Sequence, residues 1–258
     1  MWWLLRALPA VDADWLRVPT SSGPVGPDWP AAWTAALGAP LAPDPDGGLI
    51  PDLTALERDD VHPAVRTFYE HTARADLTLQ VRWTFGLRWF GALWSRLVAG
   101  RWGQFDLPTG DDVHLTNEIL RSGPPDPCQW WVRRYAGTAR ALYVSRYEVV
   151  RIPSEPAPVV RITFPVPGGA WVVVFRVHVD GDVFVLTEDG GRPGGPGLYL
   201  VPAGGGPARY VRPMREEIRV WPEGTGCQAL HRMWFAGLPL LTLRYGLDPE
   251  RPGSRGTA

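Results

Sequence analysis

The sequence predicts an α+β protein: a mostly antiparallel, curled or barrel-like β-sheet with two helices packed near its N-terminal side. Three observations lead there. From Asp112 onward, short runs of alternating apolar and polar residues are separated by Gly and Pro, which is the pattern of many short strands. Asp180-Gly181-Asp182 joins two such runs, and Asp-Gly between alternating strands is a strong hairpin signal. A spacing of three and four, the signature of a helical face, occurs at Val65, Phe68, Tyr69 and Thr72, ahead of that run of strands.

Residues 1–60 read as an irregular Pro/Trp-rich N-terminal arm. Segments such as Pro43-Asp44-Pro45-Asp46-Gly47-Gly48 are turn material, yet Trp2, Trp3, Trp15, Trp29 and Trp33 argue against disorder. A short helix is expected near 30–37. A first main helix is expected over 63–75, with Pro63 in its first turn and Val65, Phe68, Tyr69 and Thr72 on one face. Glu70 and Arg74, four apart, are expected to pair on its surface. Leu77 to Phe85 alternates as a strand. Leu87–Val98 is rich in long apolar residues and reads as a buried core helix rather than a membrane-touching one, because interfacial helices show a broader charged face.

Strands are expected over 114–121, 130–135, 141–152, 159–164, 171–179, 183–187, 197–201, 209–212, 217–221, 229–235 and 240–245. The expected division is an arm (1–60), a single β-rich domain (61–247) and a disordered tail (248–258).

Composition narrows function mainly by exclusion. The net charge is −1, so no basic field draws nucleic acid. All 26 basic residues are arginine, which removes Schiff-base lysines and a lysine-bearing P-loop. Cys128 and Cys227 are too few for a thiolate metal site and are expected to be reduced core thiols. The histidines His62, His71, His114, His178 and His231 lack metal-ligand spacing, so neither a metal nor a cofactor is expected. No run approaches the ~20 apolar residues of a membrane span, and the N-terminus reads poorly as a signal peptide; a cytoplasmic protein is expected.

If the sheet curls, its mixed faces line one pocket with Arg176, His178 and His231 as polar anchors, joined by Glu148, Glu217 and the helical Tyr69. Three functions follow. The first is a domain binding a small apolar molecule. The second is a cofactor-independent isomerase or cyclase using acid–base groups in the same pocket. The third is a protein-interaction domain presenting tryptophans.

Phe68-Tyr69-Glu70 with Thr72, Gln104 with Leu107-Pro108, Phe164-Pro165-Val166-Pro167-Gly168, Arg215-Glu216 with Ile218 and Val220, and the ending around His231 and Leu241–Tyr245 form a further set. Through them the stretch from about residue 61 to 245 resembles an uncharacterised family of actinobacterial proteins of no known activity. The resemblance implies one domain and no catalytic residue. In that family an acidic residue often precedes the histidine; Leu230 stands there in this chain, which weakens the case for His231 as half of an acid–histidine pair.

Overall fold

A computed structural model describes residues 7–21, 23–25, 33–34, 40–84, 86–108, 112–123, 128–138 and 140–249, apart from the side chains of Phe90 and Pro249. Its centre is a closed antiparallel barrel of ten strands. These are β3 (Ala75–Trp83), β4 (Val113–Ser122), β5 (Gln129–Tyr135), β6 (Ala141–Val150), β7 (Val159–Val166), β8 (Gly169–Asp180), β9 (Val183–Thr187), β12 (Met214–Glu223), β13 (Gly226–Phe235) and β14 (Leu238–Pro249). The meander runs from β3 to β9, continues through the β12–β13–β14 hairpins and closes where β14 pairs with β3. The hairpin expected at Asp180-Gly181-Asp182 is present: Asp180 pairs with Val183, and Gly181 takes φ +61°, as its turn requires.

Strand β8 belongs to two pairings. Its second half, from Arg176, bonds to β9 and closes the barrel. Its first half bonds to β10 (Gly197–Pro202), which carries β11 (Ala208–Tyr210) and the two-residue β1 (Ala10–Val11) outward. A fourth outer strand, β2 (Leu41–Pro43), pairs with β4. The outer face of the wall is therefore covered in two places. Val159, Val172, Val174, Tyr199 and Tyr210 pack with Leu16, and Trp15 stands edge-on to Tyr199 at 5.5 Å. Trp130, Val132 and Val144 pack with Val25 and Trp33. Of the short helix expected over 30–37 only residues 33–34 are described, and they are helical; Trp2, Trp3 and Trp29 lie outside the described residues.

Two helical segments close the barrel ends. Helix α1 (Pro63–Glu70) starts at His62, whose Nδ1 accepts from the Ala64 N–H, with Pro63 in the first turn. It brings Tyr69 to 5.1 Å from Phe184 and Phe68 to 6.5 Å from Trp131. Leu49, Ile50, Leu53 and Leu56 join the same interior cluster, so this part of the arm fills the barrel rather than lying over it. The expected helix over 63–75 is shorter: after Glu70 the chain makes a 3-10 turn (Thr72–Arg74) and enters β3. That break corrects the expected Glu70–Arg74 pair. Glu70 instead meets Arg66 at 3.4 Å and accepts from the Leu53 N–H, while Arg74 bonds Asp46.

Helix α2 (Arg88–Trp94) runs on through a π turn (Ser95–Ala99) and a last turn (Gly100–Trp102), and Gly103 in the left-handed region ends it. Trp94, Trp102, Phe105 and Trp171 form a ring cluster over its end of the barrel. The helix corrects one expectation. It is not buried all round: Trp89, Leu93 and Leu97 are 66%, 44% and 47% exposed.

Gln104 pins α2 to the wall. Fully buried, it accepts from the Val144 N–H at 2.6 Å and donates to the Pro165 carbonyl. Gln104→Leu strands both backbone groups in a dry interior and is expected to cost about 2–4 kcal/mol, read as a lower urea midpoint with an unchanged slope. An unchanged midpoint would show that water replaces both bonds.

Strand β14 continues to Pro249, so the tail expected from residue 248 begins inside a strand, and 250–258 lie outside the described residues.

Candidate functional site

Alternation fixes which side chains enter the barrel. On β5, Trp131, Arg133 and Tyr135 point inward, while Trp130 and Val132 join the outer cluster with Trp33. On β6, Tyr143 and Tyr147 point inward. Glu216 shares the inward side of β12 with Ile218 and Val220, His231 that of β13 with Ala229 and Met233, and Tyr245 that of β14 with Leu243.

Trp131, Tyr143 and Tyr245 surround Arg133, which is only 4% exposed. Its guanidinium lies 3.7 Å from the Trp131 ring centroid, 4.5 Å from that of Tyr143 and 5.9 Å from that of Tyr245. One terminal nitrogen donates to the Tyr245 hydroxyl at 3.4 Å, and Nε has no hydrogen-bond partner among the described residues. Among those residues no carboxylate forms an ion pair with it. Aromatic faces offset part of the cost of burying a guanidinium, but they do not satisfy its N–H groups.

An acid–histidine pair stands beside this cage. His231 Nε2 lies 2.8 Å from a Glu216 carboxylate oxygen. The acid comes from the neighbouring strand rather than from position 230, so the pair that Leu230 argued against is supplied across the β12–β13 hairpin. Burial pushes the phenols of Tyr143, Tyr147 and Tyr245 up, that of Tyr147 to about 12; Arg133 opposes the rise and Glu216 adds to it.

A second carboxyl completes the group. Glu188, just after β9, is buried beside the start of β12. Burial, and then the charge of Glu216, push its carboxyl up to about 9; the N–H of Glu216 and the Arg215 charge act against that rise. Glu188 is therefore a neutral acid at pH 7, beside the Glu216 carboxyl.

The six residues expected to share one pocket are divided between the two faces of the wall. His231 and Tyr69 face the interior. Arg176 and His178 lie on the outer side of β8; Arg176 is clamped by both oxygens of Glu155 at 2.6 and 2.7 Å, and His178 is exposed. Glu217 lies on the outer side of β12, 3.9 Å from Arg232. Glu148 is also outward, between Arg146 at 2.7 Å and Arg161 at 2.8 Å. The expected grouping is corrected by strand parity: β10 and the arm bury outer residues too, so an apolar side chain does not mark the inner face here. Arg133, Glu216 and Glu188 were missed. Sharing a side with Trp131 and Tyr135, or with Ile218 and Val220, is the only signal the sequence held for the first two.

Glu148 does border an opening. Where β6 runs past the start of β5, an open groove of about 290 Å³ is lined by Pro51, Arg121, Cys128, Gln129, Arg146, Tyr147, Glu148 and Val149. Tyr147 is its inner wall and stands 5.9 Å from Trp131, the ring beneath Arg133. Both cysteines are free and buried. Cys128 sits in the outer cluster with Ser122 Oγ at 3.1 Å, whereas Cys227 is interior and pushed up to about 11 by burial. The wall between them keeps them apart. No group of His, Cys, Asp and Glu able to hold a metal occurs among the described residues, and no helix there is long and apolar enough to cross a membrane.

No family model matches the chain, and no solved structure matches it. It is similar to the uncharacterized membrane protein YndJ of Bacillus subtilis (strain 168), with 23% identity over 213 residues that cover 78% of this chain. The chain spans 38% of that relative's length.

Proposed function

We propose that the barrel binds a small, mostly apolar molecule carrying one anionic oxygen group, with Arg133 as its anchor. The observation that carries this reading is a buried guanidinium, stacked on aromatic rings, with an unpartnered N–H and no ion-paired carboxylate among the described residues. A carboxylate on the ligand would satisfy it by charge-assisted hydrogen bonds, and the surrounding rings suit an apolar body. The groove bounded by Tyr147 is the proposed entry. The relative's name as a membrane protein fits this chemistry, since apolar carboxylates partition into bilayers; the proposed place of the barrel itself is the cytoplasm.

The test uses dodecanoate as probe, followed by isothermal titration calorimetry and by native mass spectrometry of the purified protein. Binding is expected to weaken at least about tenfold in Arg133→Met, the order of a lost charge-assisted hydrogen bond, with circular dichroism unchanged. His231→Ala is expected to change affinity only. Equal affinity in wild type and Arg133→Met, or no binding to either, sinks the reading.

A second reading has its own observation. Glu188 holds a proton at neutral pH and stands beside Glu216, which bonds His231 at 2.8 Å; a proton-bearing carboxyl next to a carboxyl–histidine pair supplies the groups for acid–base work. It makes the barrel a cofactor-independent isomerase or cyclase. In that case His231→Ala abolishes turnover of a bound carbonyl compound without reducing its binding.

A further inference from the structure

From the exposed face of α2 we infer that the chain docks on an anionic membrane surface, with the tip of the β13–β14 hairpin as a second contact. Trp89, Leu93 and Leu97 recur every four residues and form one ridge along the solvent side of the helix. The opposite side is the packed one: Gly91 abuts the Trp83 ring, Ala99 is buried, and Trp102 stands edge-on to Trp171. Here the apolar residues that a soluble helix turns inward are found on both sides.

The hairpin tip lies at the same end of the barrel. The Thr84 N–H bonds the Leu240 carbonyl, which ties the chain entering α2 to the start of β14. Phe235 and Leu238 at that tip are 51% and 71% exposed. These are the five large apolar side chains most open to solvent among the described residues, and all belong to α2 or to this hairpin tip.

Charge identifies the occupant. Between Asp76 and Asp106 the sequence holds no acidic residue, but it holds Arg82, Arg88, Arg96 and Arg101. All four are exposed, and none has a carboxylate partner among the described residues, in a chain whose net charge is −1. Asp106 is buried and bonded to Ser95 and Arg140. A local basic field beside a tryptophan–leucine ridge matches anionic headgroups above acyl chains. Tryptophan settles at the boundary, leucine enters below it, and arginine stems reach up to the phosphates. A protein groove would need carboxylates aligned with all four arginines, whereas a lipid surface supplies such charge anywhere along the helix.

The experiment is flotation of the full chain with vesicles of phosphatidylcholine, alone or with phosphatidylglycerol as roughly a third of the lipid. Binding is expected on the anionic vesicles, with loss at about 0.5 M salt through screening. Leu93→Asp with Leu97→Asp is expected to reduce the bound fraction at least about tenfold. Arg88→Gln with Arg96→Gln and Arg101→Gln is expected to bring it to the level on neutral vesicles. Melting curves of both variants report folding, and because all these side chains point to solvent the curves should match wild type. Failure of the wild type to float, equal binding to neutral vesicles, or wild-type flotation by either variant overturns the inference. So does a dimer in sedimentation equilibrium that Leu93→Asp dissociates, because a second copy would then be what covers the ridge.

Discussion

Gly48→Ala should destabilise the protein more than any other single methyl addition, by about 3–5 kcal/mol. Gly48 lies where the arm crosses the end of α1. A β-carbon there would overlap the Tyr69 and Glu70 carbonyls, which are backbone and have nowhere to turn. The crossing is held by three bonds: Leu49 N–H to Thr72 Oγ1 at 3.1 Å, Ile50 N–H to the Tyr69 carbonyl at 3.1 Å, and Ala73 N–H to the Gly47 carbonyl at 2.9 Å. Spreading the two segments strains all three and lifts Leu49, Ile50 and Leu53 from the interior. The urea midpoint is expected to fall by about 1 M or more. Gly23→Ala, where a β-carbon meets open space, is expected to stay within about 0.5 kcal/mol of wild type. Similar midpoints for the two variants would show that the crossing yields.

Glu188→Gln should act in the opposite direction, and only at neutral to alkaline pH. The native carboxyl is raised to about 9 from an ordinary value of 4.5. Below 4.5 both folded and unfolded chains hold the proton, and its contribution is fully present. Between 4.5 and 9 only the folded chain holds it, so stability falls as pH rises, and the contribution is lost once the folded group ionises. Glutamine keeps the shape and cannot ionise. The variant should match wild type near pH 5 and exceed it near pH 8 by on the order of 2–4 kcal/mol, or about 5–10 °C in melting temperature. Parallel pH profiles for the two proteins would place the proton elsewhere.

Much of the barrel was legible because a strand needs only local alternation. Trp130–Tyr135 and Trp171–Val179 were each found within a residue or two of β5 and β8, and Val183–Thr187 coincides with β9. What alternation leaves open is which side is inside. Val172 and Val174 look like core and are buried, but under β10 and the arm, so Arg176 and His178 share an outer side. In Glu216-Glu217 parity with Ile218 favours the first, and only the closed barrel makes that choice visible. Glu188 follows a strand without any periodic mark; its burial comes from the way β10 and β12 return beside it. Helix α2 misled for another reason, since apolar composition gives no direction and Trp89 points out while Trp102 points in.

The seam between β3 and β14 sets how this chain must fold. It joins Ala75 to Pro249, the first barrel strand to the last, so closure waits on the most distant pairing within the barrel. Such contact order implies slow folding and a long-lived open intermediate with two unpaired edges. During synthesis nine strands exist before the tenth can seal them, which makes the nascent chain prone to aggregation until β14 emerges. A chain cut short before Leu238 keeps that exposed state permanently, and loss of β14 should be seen as insolubility rather than as a weaker barrel.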